Sequence, residues 1–260
     1  MRWSIVVFVI FIFSSCNSDE DDFPYSRYNH VYTNTGTNTD DSQNIDLAID
    51  IPDYHALDFD SDTIHYLALG DSYTIGTGEK AENRWPNLLS RRMQNNGYIF
   101  PRPRIIASVG WTTGNLISAI EKQEINVKYD LVSLLIGVNN QYRGNDFKVF
   151  EAEFLQLLAS CMEMAKSRSG IFVLSIPDYG VTPFGDYAQQ QISGEIDEYN
   201  EYIQKVCNAN DIKYYNITEI SRKAEGDLSY LASDQLHPSK KMYEEWIDLL
   251  ISEPLALFQQ

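Results

Sequence analysis

The chain has 260 residues, 43% of them hydrophobic and 13% aromatic, enough to bury the core of one full domain plus an appendage but not of two domains. A formal net charge of −17 excludes a protein that tracks nucleic-acid phosphates or adheres to anionic lipid surfaces, since both need stripes of Lys and Arg. The charge is unevenly spread, with twelve Asp or Glu against Arg27 alone in residues 17–62, so soluble or neutral substrates fit the remainder better.

At the N-terminus, Met1-Arg2 precedes an apolar stretch from Trp3 to Phe13 and then Ser14-Ser15. That stretch is too short to span a bilayer and has the layout of a secretory signal, one positive charge before an apolar core and small residues at its end. Cys16 directly after two serines resembles the lipobox of bacterial lipoproteins, although Phe13 stands where Leu is usual. The resemblance implies a signal peptide over residues 1–15, a lipidated Cys16, and an extracytoplasmic protein that meets a bacterial membrane only through its lipid anchor. The acidic run of residues 17–22 is similar to tethers used for cell-surface display. An ordinary cleaved signal with an incidental cysteine, or an uncleaved anchor, are the alternatives. Residues 16–62, rich in Asp, Asn, Thr and Ser, read as an acidic and largely flexible tether. Asp58-Phe59-Asp60-Ser61-Asp62 alternates carboxylates as a calcium loop does, but Thr63 replaces the required Gly and Leu69 the bidentate Glu, so no metal is expected.

From residue 63 to 260 the pattern is regular. Short apolar runs at 64–69, 104–109, 131–136, 171–176 and 212–217 predict strands, and stretches of helical period at 85–95, 115–122, 147–167, 189–208 and 239–251 predict helices between them. Strand and helix alternating in this way make one α/β domain, a three-layer sandwich around a mainly parallel five-stranded sheet. Cys161 and Cys207 fall in helical segments and are expected as free buried thiols, with a single disulfide as the alternative.

In such folds ligands bind beyond the carboxyl ends of the strands, and the chemistry-bearing residues of this chain cluster at those positions. Gly70-Asp71-Ser72 follows the first run and puts a hydroxyl at a sharp turn. Gly110, followed by Trp111 and Gly114, follows the second run, and Asn139-Asn140 with Tyr142 and Arg143 follows the third. Asp234 and His237 come after the fifth, and His237 is the sole histidine beyond residue 65. A serine, a carboxylate and an imidazole are the parts of an acyl-transfer triad, and a backbone N–H and an amide can hold an oxyanion.

These four blocks resemble those of the SGNH hydrolases, also called the GDSL family, over some three quarters of the chain. The resemblance implies a flavodoxin-like fold and a serine esterase working through an acyl-enzyme without cofactor or metal. Ser72 would be the nucleophile, His237 the base and Asp234 its partner, with Ser72, Gly110 and Asn139 holding the oxyanion. Tyr73 replaces the Leu of the family name, Gly114 rivals Gly110, and Asn140 stands where the family usually has Asp. The expected substrates are short-acyl esters, for example acetyl esters on glycans, with Trp111, Tyr142 and Arg143 as candidate substrate contacts. Tyr179, Phe184 and Tyr187 could stack on a sugar ring or simply pack locally. Lysophospholipids and thioesters are alternative substrates, and a non-catalytic surface binding protein on the same scaffold is the alternative of another class.

Overall fold

A computed structural model describes residues 62–123, 125–254 and 258. The expected signal peptide over residues 1–15, Cys16 and the tether up to residue 61 lie outside them.

Among the described residues five strands, β1 (Tyr66–Gly70), β2 (Arg104–Ala107), β3 (Leu131–Leu135), β4 (Ile171–Leu174) and β5 (Lys213–Tyr215), form one sheet in the order β2-β1-β3-β4-β5, and every pairing is parallel. β1 and β3 are buried along their whole length, in register from Tyr66 opposite Leu131 to Gly70 opposite Leu135. A strand with helices over both faces has no solvent side to mark with polar residues, so its apolar run does not alternate. Several of the expected strands extend one or two residues beyond the observed carboxyl ends. Ile136, Ile176 and Ile217 are buried yet lie past the ladder, under the loops, so the apolar signal reports burial there and not pairing.

Among the described residues, eight α-helical segments connect or follow the strands: α1 (Ser72–Ile75), α2 (Trp85–Asn95), α3 (Thr113–Glu121), α4 (Val138–Tyr142), α5 (Phe147–Met164), α6 (Gln189–Ala209), α7 (Thr218–Ser221) and α8 (Lys240–Ser252). α2 packs beside α8, and together they cover Leu131, Phe172 and Tyr215 on one face of the sheet. On the other, α3 packs on α5 and α5 on α6, where Phe147, Phe150 and Phe154 meet Tyr199 and Tyr202 edge-on or tilted. α3 starts two residues before its predicted position because Thr112 and Asn115 cap each other's backbone N–H groups. α5 ends at Met164, three residues early, because residues 164–166 turn away to pair with Tyr129: Tyr129 N–H donates to Met164 O and Lys166 N–H to Tyr129 O, both at 2.8 Å. Cys161 and Cys207 are free and buried, and burial pushes the Cys207 thiol up to about 12.

The chain moves from β1 outward to β2 and then crosses to β3 on the far side of β1. This reversal opens a crevice at the carboxyl ends of β1 and β3, the place where open α/β sheets bind ligands.

Candidate active site

Ser72 lies at the mouth of that crevice because Gly70 lets the chain turn there. A Cβ on Gly70 would sit 2.2 Å from Thr74 Oγ1 and 2.4 Å from the Leu135 carbonyl oxygen, so any side chain would force strand and turn apart. Asp71, fully buried, caps α1 by accepting the Tyr73 N–H at 3.0 Å. Burial pushes its carboxyl up to about 7, against the hydrogen bond from Tyr73 N–H, which acts the other way. The single turn closes as Gly76 and Thr77 donate their N–H groups to the Ser72 carbonyl, both at 3.0 Å, with Gly76 in the left-handed region at φ 71°.

The second wall is the loop of residues 231–238, bridged at its base by Leu231 and Pro238. Asp234 gathers its turn, beside the backbone bond from Ala232 N–H to the His237 carbonyl at 2.8 Å. Its Oδ1 accepts the N–H groups of Leu236 at 3.0 Å and His237 at 2.9 Å, while Oδ2 lies 2.7 Å from His237 Nδ1. The turn passes through Gln235 at φ 58°. Partial burial acts to raise the Asp234 carboxyl, but the hydrogen bonds from His237 and Leu236 outweigh it and hold the group below the usual carboxylate range. An ionised Asp234 is acceptor-only, so the hydrogen of this contact belongs on Nδ1 and Nε2 is the ring nitrogen left over. The edge of the Tyr73 ring meets His237 with centroids 5.8 Å apart, which sets the imidazole beside the residue that follows Ser72. Two further bonds fix the walls together, Tyr243 Oη–H to the Tyr73 carbonyl at 2.9 Å and Lys240 N–H to Glu79 Oε1 at 2.8 Å.

The third wall comes from the loops after β2 and β3. Gly110 has φ 77°, and the Arg143 guanidinium donates to its carbonyl at 2.6 Å. Arg143 therefore holds the Gly110 peptide in place. Asn139 Nδ2 donates one hydrogen to the Trp111 carbonyl at 3.0 Å, which leaves its second N–H for another acceptor. Gly114 sits inside the first turn of α3 against Glu153, away from this loop. Asn140, where an Asp would be usual, is fully buried and pairs reciprocally with Thr113: its Oδ1 accepts the Thr113 N–H at 3.0 Å, and its Nδ2 donates to Thr113 Oγ1 at 2.6 Å. The Thr113 hydroxyl then donates to the Glu153 carboxylate. An amide suits this position because it gives one donor and one acceptor to a residue whose hydroxyl already donates elsewhere. Trp111 is half-buried against the core; Tyr142 is exposed and touches Tyr179 and Phe184.

The serine, glycine, asparagine and aspartate–histidine blocks thus all lie at carboxyl-end loops of the sheet. Sequence reasoning missed Thr113 and Glu153, which hold the third wall, and the clamp role of Arg143. Their partners lie 27 to 40 residues away, and no spacing signals such pairs. Among the described residues, no group of three or more His, Cys, Asp or Glu side chains could hold a metal ion, and no helix is long and apolar enough to cross a membrane.

The model of the GDSL-like lipase/acylhydrolase family matches residues 68–245. No curated protein matches the chain. Among solved structures it is similar to a lipolytic G-D-S-L family protein from Veillonella parvula, at 14% identity and a TM-score of 0.60 over 73% of this chain and 97% of that one. It is similar also to the acetylxylan esterase Axe2 from Geobacillus stearothermophilus, at 18% identity and a TM-score of 0.58 over 76% and 95%. The esterase EstA from Pseudoalteromonas is another such structure, at 19% identity and a TM-score of 0.52 over 74% and 98%.

Proposed function

The chain belongs to the GDSL-like lipase/acylhydrolase family and is a carboxylic ester hydrolase, and from that premise we propose that it works by a Ser72–His237–Asp234 triad on short-acyl esters of carbohydrates. His237 Nε2 takes the Ser72 hydroxyl proton as Oγ attacks the ester carbonyl; Asp234 keeps Nδ1 protonated and stabilises the imidazolium that forms. The oxyanion of the tetrahedral intermediate is met by the N–H groups of Ser72 and Gly110 and by the Asn139 amide, each such donor typically contributing about 3 kcal/mol to barrier lowering. Collapse returns the proton from His237 to the leaving alcohol and leaves an acyl-Ser72 ester. Water, deprotonated by the same imidazole, attacks that ester and releases the acid.

The observation that carries this reading is the 2.7 Å contact of Asp234 with His237 Nδ1, on a ring packed edge-on against the neighbour of Ser72. Two matters support a short acyl group on a sugar: the likeness to acetylxylan esterases and the position of the apolar cavity. That cavity, about 220 Å³, is lined by Leu89, Met93, Phe172, Tyr215 and Leu250 under α2 and α8, and by none of the site residues. Ser72→Ala should abolish hydrolysis of 4-nitrophenyl acetate and labelling by a fluorophosphonate probe. Turnover within a few-fold of the parent protein would overturn the triad.

A further inference from the structure

Among the described residues only three aromatic side chains are exposed, Tyr142 at 53%, Phe184 at 43% and Tyr187 at 73%, and all three lie around Tyr179. Large apolar surface left in water usually marks a place where something binds. The series begins at the reacting centre. Tyr142 follows Asn139 by three residues on α4, so both side chains lie on the same face of that turn. The Tyr142 ring meets Phe184 with centroids 5.8 Å apart and rests at 75° on Tyr179 behind it. Tyr179 is buried, and its hydroxyl donates to Gln141 Oε1 at 2.8 Å, while Gln141 Nε2 donates to Glu195 on α6 at 2.6 Å. The exposed rings therefore rest on a backing fixed by polar bonds. Past Phe184 the strip continues to Tyr187, which opens a shallow groove lined also by Asp186, Gln190, Gln191, Ser193 and Asp197.

We propose that this strip is a glycan track: the acylated sugar lies at Ser72, and neighbouring sugars of a neutral chain run over Tyr142 and Phe184 to Tyr187 and its groove. The inference rests on the carbohydrate-ester reading and gives it a location and a polarity. A sugar ring has an apolar C–H face that lies on an aromatic ring and a rim of hydroxyls that need donors and acceptors. The strip supplies aromatic faces followed by amides, a hydroxyl and carboxylates. No Lys or Arg lines the groove, and of its two carboxylates Asp197 is paired with Arg222 at 2.6 Å, so the lining offers no unpaired cation to a polyanion or a phosphorylated headgroup. A long acyl chain would call for an enclosed apolar channel, whereas these rings are open to water.

The test compares 4-nitrophenyl acetate with acetylated β-1,4-xylo- and mannooligosaccharides of two to six sugars, on the parent protein and on Tyr187→Ala, Phe184→Ala and Tyr187→Trp. On at least one backbone, kcat/KM of the parent should climb with chain length. In Tyr187→Ala that climb should shrink by about tenfold relative to any change on 4-nitrophenyl acetate, mostly through KM, and Tyr187→Trp should restore most of it. A length-independent kcat/KM in the parent, the result expected if the rings serve a protein partner, overturns the track. So does a climb that survives in both alanine variants, or a loss of the same size on the small ester. Hydrolysis of 4-nitrophenyl acetate with none of the acetylated sugars overturns the track while sparing the triad. Failure on every ester instead overturns the triad reading, and the two failures are told apart by that small substrate.

Discussion

The two halves of the site are built on opposite plans. On the side of the proposed nucleophile and base each side chain is held chiefly by its chain neighbours: Asp71 caps the turn that carries Ser72, and Asp234 holds both the backbone and the ring of His237 three residues on. On the side of the proposed oxyanion donors, Gly110 and Asn139 depend on side-chain bonds that reach across the chain. Arg143 fixes the Gly110 carbonyl from 33 residues away, Asn139 reaches back 28 residues to Trp111, and Asn140 locks α4 to α3 through Thr113. The first plan makes a compact motif whose geometry travels with its sequence. The second makes a geometry that exists only when several loops are in place, so it should be the more easily tuned and the more easily disturbed.

The largest effect is expected where the self-contained half loses its one organising charge. Asp234→Asn presents an amide to His237 Nδ1, which favours the tautomer with its proton on Nε2 and so removes the acceptor that Ser72 needs. We expect kcat on 4-nitrophenyl acetate to drop about 10³-fold or more, by analogy with the wrong-tautomer effect in serine proteases, with circular dichroism unchanged. A variant that keeps a tenth of the activity would mean that Asp234 only shapes the loop.

A smaller but more specific effect tests the distributed half. Asn140→Asp would set a second carboxylate on the Thr113 hydroxyl, which has one hydrogen and already donates it to Glu153. Two like charges facing one donor push α4 away from α5, and the Asn139 amide moves with α4. kcat should fall about tenfold with KM nearly constant, and Glu153→Gln added to Asn140→Asp should restore most of the loss, a coupling of about 1 kcal/mol or more in a double-mutant cycle. Additive losses in the double variant would show that the Thr113 bridge does not position Asn139.

This contrast also explains what was legible in the amino-acid sequence. The five apolar runs located all five strands, and the parallel sheet expected from them is the one found, because a buried parallel strand shows itself in consecutive residues. Helix 85–95 was legible to the residue, since Trp85-Pro86 opens it and Asn96-Gly97 ends it. Gly-Asp-Ser and Asp-x-x-His stood out for the same reason: the atoms that cooperate are neighbours in the chain. Glu153 and Thr113 did not, because a hydrogen bond across 40 residues leaves no trace in spacing. Arg143 read as a substrate contact because only the fold shows that its guanidinium is engaged by a backbone carbonyl.

The smallest effect concerns stability within the nucleophile turn. Burial raises the Asp71 carboxyl to about 7, against an ordinary value near 3.9. The folded state therefore holds that proton more tightly than the unfolded state. Its contribution to stability is complete below about pH 4 and is lost as the pH rises through about 7. An asparagine in place of Asp71 would keep the acceptor oxygen that caps Tyr73 N–H and carry no charge at any pH. Asp71→Asn should thus melt at a higher temperature than the parent protein at pH 7.5, by a few degrees, and the difference should narrow or reverse at pH 4.5. Thermal melts of both proteins at the two pH values read this directly, because carboxylates common to both cancel in the difference. A gap that is constant with pH, or wider at pH 4.5, would mean that Asp71 is ionised in the folded protein throughout that range, with its charge satisfied inside the turn.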